Sequence, residues 1–294
     1  TDPGFGRAAG VHAGDRGGNW RTVEQPLPAE RYQRIQELLR ERHVVRVSAL
    51  SELLGVSEVT IRRDLEALER RGLLERTHGG AVLVQRMRTE PRYLEAVVSH
   101  PEEKRAIGRA AADLVEPGET IFLNGGTTTM EVFRHLSAPG IRVITNHVGM
   151  ALEAADQGLE LILVGGQFRA PSSSVVGPFA TEALRRVHAD KAFIGVEGVS
   201  LRSGLTTPSP QEAEIAGLMM ERTRGEVIVV ADHSKLGRVA DFVIAPLEDV
   251  HRIVVDAGIE DEYREQLAAA DVEVVVAGEP VGATQATTSA GDDG

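Results

Sequence analysis

The stretch from Val47 to Gly80 constrains this chain more than any other. Ser48 can cap a short helix through Leu54, in which Ala49, Leu50, Leu53 and Leu54 recur at helical spacing. Gly55-Val56-Ser57 breaks that helix, because Gly55 suits a left-handed helix end and Ser57 suits the cap of the next one. The second helix is expected over about Glu58 to Arg71. Its Ile61, Leu65 and Leu68 form one apolar stripe at i, i+4 and i+7. At about 100° per residue, Val59, Arg63 and Arg70 point away from that stripe, with Thr60 and Arg62 on its flanks. Gly72 ends the helix, and two short apolar runs around His78-Gly79-Gly80 read as a β-hairpin. An upstream helix, Ala29 to Arg42, adds Ile35, Leu38 and Leu39 as a third wall of a small core.

Helix, tight turn, basic-faced helix and hairpin, in that order, present one helix end to a DNA major groove and a wing to the neighbouring backbone. Arginine can pair bidentately with guanine, and threonine can touch a phosphate or a thymine methyl. The candidate contacts are Ser57, Val59, Thr60, Arg62 and Arg63 on the helix, with Arg76 and His78 beside the wing. A plain helical bundle with a solvated charged face is the alternative, and the ordering of the signals weighs against it.

The run Ser57-Glu-Val-Thr-Ile-Arg-Arg-Asp-Leu65, then Gly72-Leu73 and Arg76-Thr-His-Gly-Gly-Ala81, resembles the winged helix-turn-helix of DeoR-type bacterial transcription regulators. The resemblance covers about Arg31 to Val84. It implies that Ser57, Thr60, Arg62 and Arg63 contact DNA.

A net charge of −12 is unusual for a DNA-binding chain, but the charge is unevenly divided. Residues 28–90 hold 12 arginines against 10 acidic residues, whereas residues 91–294 hold 17 basic against 31 acidic ones. The acidic part repels nucleic acid, so weak nonspecific binding is expected, with a salt slope of roughly −0.9 per neutralised phosphate. The chain has no cysteine, which excludes disulfides and thiolate metal sites. No apolar run approaches the roughly 20 residues of a membrane span and no signal pattern opens the chain, so a cytoplasmic protein is expected. No histidine pair stands at metal-ligand spacing, so neither metal nor other cofactor is expected. Residues 1–27, rich in glycine and holding the only tryptophan, Trp20, and the small polar tail 279–294 are expected to be disordered.

The composition and pattern divide the rest into a DNA-reading domain over residues 28–84, a linker over 85–100 and a larger domain over 101–278. In the larger one, helix and strand patterns alternate. Strands are expected at Thr120 to Leu123, Ile141 to Thr145, Leu159 to Val164, Ala192 to Val196, Glu226 to Ala231, Phe242 to Ala245, Arg252 to Val255 and Glu273 to Val276. Helices are expected at Glu102 to Val115, Met130 to Leu136, His147 to Gln157, Glu212 to Thr223 and Asp261 to Ala270. This alternation argues for an α/β domain with a mostly parallel sheet flanked by helices, whose ligands bind at the carboxyl ends of strands.

Those ends carry the candidate ligand residues. Asn124-Gly125-Gly126-Thr127-Thr128-Thr129 joins a strand to a helix, where two glycines allow close approach and the free N–H groups can cradle an anion. The same run would also serve as an ordinary capped turn, and it is neither a dinucleotide fingerprint nor a P-loop. Asn124 could bind a sugar hydroxyl. Thr145-Asn146, Gly166 and Arg169, and Asp232-His-Ser-Lys235 close other strands, and Lys235 is the candidate phosphate counter-charge. Arg169 fits a surface role as well as a ligand role. Glu212 fits a ligand-orienting or a solvated position.

This half also resembles the DeoR-type effector domain over about Lys104 to Asp256. The matching pieces are Lys104, Gly126-Thr127-Thr128, Thr145-Asn146, Gly165-Gly166, Gly177, Asp190, Gly204-Leu-Thr206 and Asp232-His-Ser-Lys235. The resemblance implies a fold like that of ribose-5-phosphate isomerases and CoA transferases, and a sensor of phosphorylated sugars or related metabolites. Asn124 departs from the aspartate usual in the family and removes a charge beside the phosphate site. The expected protein is a repressor-type regulator that binds double-stranded DNA as a homo-oligomer under control of such a metabolite, and not an enzyme. Two alternatives stand: a sugar-phosphate isomerase with an accessory DNA-binding head, for which Glu212, Asp232 and Lys235 are acid–base candidates by type, and a constitutive DNA binder whose second domain only oligomerises.

Overall fold

The computed structural model describes residues 26–278 except 78, 88 and 157. The expected disordered ends therefore lie almost wholly outside the described residues, and His78 lies outside them as well.

The head begins with α1 (Pro28–Arg42), which opens on a proline and on the Glu30 carboxylate accepting from the Leu27 amide at 3.0 Å. β1 (Val44–Arg46) leads directly into α2 (Val47–Leu54). Gly55 ends α2 in the left-handed region at φ 64°, a conformation that a side chain would strain. Ser57 caps α3 (Glu58–Glu69), its hydroxyl accepting from the Thr60 amide. β2 (Leu74–Arg76) and β3 (Gly80–Leu83) form the wing, and the three-stranded sheet runs in the order β1-β3-β2. Ile35, Leu38, Leu39, Leu50, Ile61, Leu65, Leu68 and Leu74 close one core. Beneath it, Arg31 pairs with Asp64 through two hydrogen bonds of 2.6 and 2.9 Å, both residues buried. The Asp64 carboxylate pushes the Arg31 pKa up further, against the cost of burial.

The expected linker is structured. β4 (Gln85–Arg86) pairs in parallel with β14 (Arg238–Val239), and α4 (Tyr93–Val98) precedes α5 (Pro101–Ala112). The sensor then alternates β5 (Thr120–Leu123), α6 (Thr127–His135), β6 (Arg142–Thr145), α7 (Val148–Glu153) and β7 (Glu160–Leu163). A hairpin of β8 (Gln167–Arg169) and β9 (Ser174–Val176) follows, then α8 (Pro178–Leu184) and β10 (Lys191–Gly195). Next come β11 (Gly198–Ser200), β12 (Gly204–Thr207), α9 (Pro210–Glu221) and β13 (Val227–Val230). After β14 the chain forms β15 (Phe242–Ala245), β16 (Arg252–Val255), α10 (Asp261–Ala269) and β17 (Glu273–Val276).

Seven strands make one parallel sheet in the order β17-β16-β13-β10-β5-β6-β7. Its faces alternate as strand geometry requires. Ile121, Leu123, Phe193, Ile228 and Val254 pack on one side, and Phe122, Ile144, Ala192, Ile194, Val229 and Ile253 on the other. The chain moves from β5 outward to β7 and then returns to place β10 on β5's other flank. The order therefore reverses between β5 and β10, which opens a crevice at their carboxyl ends.

One expected sheet member, Phe242 to Ala245, does not join this sheet. β15 pairs antiparallel with β12 in a separate three-stranded sheet, β11-β12-β15, and leaves Phe242 and Val243 exposed. The head rests on the sensor through this region. The buried Glu75 of β2 accepts from the Ser200 hydroxyl at 2.7 Å and the Arg202 amide at 3.3 Å.

Candidate functional site

The α3 surface is open. Val59 is 57% exposed, and Arg62 and Arg63 are exposed beside it. Arg62 reaches only Glu58, one turn back, in an exposed pair of 2.8 Å that costs little to give up. Arg63 has no ion pair among the described residues. The Ser57 and Thr60 hydroxyls lie 3.0 Å apart at the helix N-terminus. Arg76 stands at the end of β2, its backbone amide held by Glu69 and its guanidinium 4.0 Å from the same carboxylate.

In the sensor, the crevice between β5 and β10 holds a cavity of about 80 Å³. Asn124, Gly125, Gly126, Thr127, Thr128, Glu212 and Lys235 line it. α6 starts there with no side-chain cap, so the first amides of the helix point to the cavity unmatched by the chain. A Cβ on Gly125 would stand 2.9 Å from the Ser174 Cβ, so only glycine lets the loop lie this close. Lys235 sits opposite, paired with Glu197 at 2.5 Å.

The other expected ligand residues form a supporting layer. The Thr129 hydroxyl donates to the Asn124 carbonyl at 2.8 Å and fixes the loop. Thr145 accepts from the His147 amide, and Gly166 packs against the Val176 carbonyl. Asn146 donates to the Val175 carbonyl, while its buried Oδ1, on the Gly125 side, has no partner among the described residues. Asp232 accepts from the Ser234 amide. Burial works to raise the Asp232 pKa, but the Ser234 hydroxyl, Lys235 and Lys104 outweigh it and hold the carboxyl below its ordinary value.

Two expectations change in detail. Asn124 lines the cavity, but its amide is spent on the neighbouring strand: Nδ2 donates to the Gly195 carbonyl at 2.9 Å and Oδ1 accepts from the Gly195 amide at 2.8 Å. It clasps β5 to β10, which leaves one N–H of its amide for a ligand at the cavity. Arg169 turns inward to grip the Glu90 carboxylate with both terminal nitrogens, and stands 4.0 Å from Glu212. The Glu212 carboxylate in turn accepts from the Ser172 and Ser174 hydroxyls at 2.5 and 2.6 Å.

Sequence reasoning missed several polar lining residues, among them Glu90, Tyr93, Ser172, Glu197 and Thr207, and it named Lys104 only as part of the resemblance. Lys104 carried a readable signal. It shares the buried face of α5 with Ile107, Gly108 and Ala111, where a lysine needs a reason. Its ammonium donates to the Ala96 and Ser99 carbonyls at 2.6 and 2.7 Å, and burial lowers its pKa.

His147 caps α7 through Nδ1, which accepts from the Met150 amide at 3.3 Å, and its buried Nε2 has no partner among the described residues. Burial pushes its pKa down to about 4. The unfolded chain therefore binds a proton near pH 6.5 that the folded chain refuses until about pH 4. Stability should fall as pH drops through that window, by up to about 3 kcal/mol from this group. Urea unfolding of the parent and of His147→Asn across the window measures it, and parallel curves would remove His147 as the cause.

A larger cleft of about 900 Å³ separates the head from α10, and its walls are aliphatic and mixed in charge, with Arg42 and Arg46 among five acidic side chains. Among the described residues no helix is long and apolar enough to cross a membrane.

A winged helix-turn-helix with an open basic helix, joined to a parallel α/β sensor, defines a DNA-binding transcription regulator. Residues 31–87 match the DeoR-like helix-turn-helix domain, and residues 99–257 match the DeoR C terminal sensor domain. The chain is 41% identical to the HTH-type transcriptional regulator GlpR of Haloferax volcanii, over 85% of this chain and 98% of that protein. It is 36% identical to the putative aga operon transcriptional repressor of Escherichia coli O157:H7, over 85% of this chain and 94% of that one. The chain belongs to the DeoR family of transcription regulators. Among solved structures, ribose 5-phosphate isomerase A from Methanocaldococcus jannaschii aligns with 47% of this chain and 55% of its own at 19% identity, with a TM-score of only 0.35.

Proposed function

We propose that this regulator is a repressor that acts as a homo-oligomer on DNA in the cytoplasm, and that a phosphorylated sugar or related metabolite in the sensor cavity sets its DNA affinity. The observation that carries the effector half is the uncapped α6 N-terminus facing Lys235 across the sheet's switch point. Amide donors, a helix dipole and an ammonium suit a phosphate. The neighbouring Ser172, Thr127 and Thr128 hydroxyls suit a polyol. One winged helix reads only a half-site, so two-fold pairing of copies supports the DNA half. The effector must bind two arrangements of the protein unequally, and coupling energies of about 1–3 kcal/mol are typical.

A thermal-shift screen of three- to six-carbon sugar phosphates tests the effector, followed by gel shift with and without each hit. If no phosphorylated compound raises the melting temperature, the sensor reading fails. On the DNA side, Arg62→Ala is expected to weaken specific binding by about 1–3 kcal/mol, or roughly 5- to 150-fold, if it reads a base. Equal gel-shift midpoints for parent and variant would take Arg62 out of the interface.

A further inference from the structure

The head meets the sensor a second time, at a contact with no part in the cavity. Arg46 reaches across to α10, its Nε 3.3 Å from a Glu262 oxygen and its Nη2 3.0 Å from Glu265. His43 stands 3.2 Å from Glu260 in the same row. Val44 and Val82 of the head pack into the core with Tyr263 of α10, while these charged side chains stand outside that packing at the rim of the open cleft.

Arg46 holds a particular place in the head. It is the N-cap of α2, which has no side-chain cap and no acidic residue in its first turn. It also stands opposite Gly80 in the wing register, and the next amide, Val47, donates to the Gly79 carbonyl. The positive end of a helix beside a wing can receive a backbone phosphate, and an arginine next to it adds a charge-assisted contact. In this structure two carboxylates occupy that position.

We propose that α10 is an autoinhibitory element: Glu262 and Glu265 take the place of a DNA phosphate on Arg46, and DNA must displace them to engage it. The pairs are half exposed, so their loss is cheap when a phosphate replaces them. This device rests on DNA binding alone and stands or falls independently of any effector.

The test uses the full chain and a mixed-sequence duplex of about 30 base pairs, with binding followed by fluorescence anisotropy between about 50 and 200 mM salt. Glu262→Gln with Glu265→Gln is expected to tighten binding about fivefold at the low end, and to steepen the log–log salt slope by roughly 0.9, one further phosphate. The same pair of changes made in an Arg46→Met background should give no gain. An equal gain in that background would assign the effect to net charge and overturn the proposal. Unchanged or weaker binding by the double variant would overturn it too, leaving the pairs as a tether that orients the head. All three positions are partly or fully exposed side chains, and a melting curve confirms that each variant is folded.

Discussion

Asp64→Ala is expected to destabilise the head by about 3–5 kcal/mol, the usual cost of stranding one partner of a buried ion pair. Arg31 keeps its charge and its place under α3, but loses two of its three hydrogen bonds and retains only the Pro26 carbonyl at 2.7 Å. A loss of that size is comparable to the whole stability of a small domain. The pair also holds the reading helix, since Asp64 follows Arg63 by one residue and lies on the buried face of α3. The variant should therefore lose DNA binding as well as stability. Urea unfolding followed by circular dichroism measures the first, and gel shift the second. The double change Arg31→Met with Asp64→Leu should recover most of the stability, because an apolar pair of similar volume removes the desolvation cost along with the attraction. A single variant as stable as the parent would mean that water reaches Arg31 and screens its charge.

The reading helix, the wing and the strand–helix alternation were legible because each has a strong local period or a turn residue that only one conformation suits. Ile61, Leu65 and Leu68 could face only one core, and Ser57 could do little else than cap. The parallel sheet followed from runs of Val, Ile and Leu buried on both faces. What stayed illegible has no such period. β11 and β12 are built from Gly, Ser, Thr, Val and Leu in pieces of three and four residues, so neither reads as a strand. β1 is three residues between two helices. The pairing of β4 with β14 joins residues about 150 apart, and no local signal records it.

The site divides in the same way. The Gly125–Thr128 loop and Lys235 were readable as types at strand ends. That Asn124 would turn its amide to Gly195, and Arg169 its guanidinium to Glu90, depends on which strand neighbours which. The adjacency of β5 and β10 decides the first, and the path of the segment before α4 past β8 decides the second; both live in the topology.

Lys235→Ala is expected to have the largest effect on effector control. If the ammonium meets a phosphate, its removal costs a charge-assisted interaction of about 1.5–3 kcal/mol, which is roughly a 10- to 150-fold loss of effector affinity. DNA binding without effector should be unchanged, because Lys235 lies in the sensor and its partner in this structure is Glu197, not the head. The variant also leaves Glu197 unpaired at the cavity wall, and a second negative charge there opposes an anion further. Lys235→Arg keeps the charge and should lose less. Isothermal titration with the compound that the sugar-phosphate screen returns measures the affinities, and gel shift with the same compound measures the response. Should Lys235→Ala bind that compound as tightly as the parent while still answering to it on DNA, the phosphate must lie away from Lys235. The α6 amides, the Thr127 and Thr128 hydroxyls and the ammonium of Lys104, already bound to two carbonyls, would then be the donors to test.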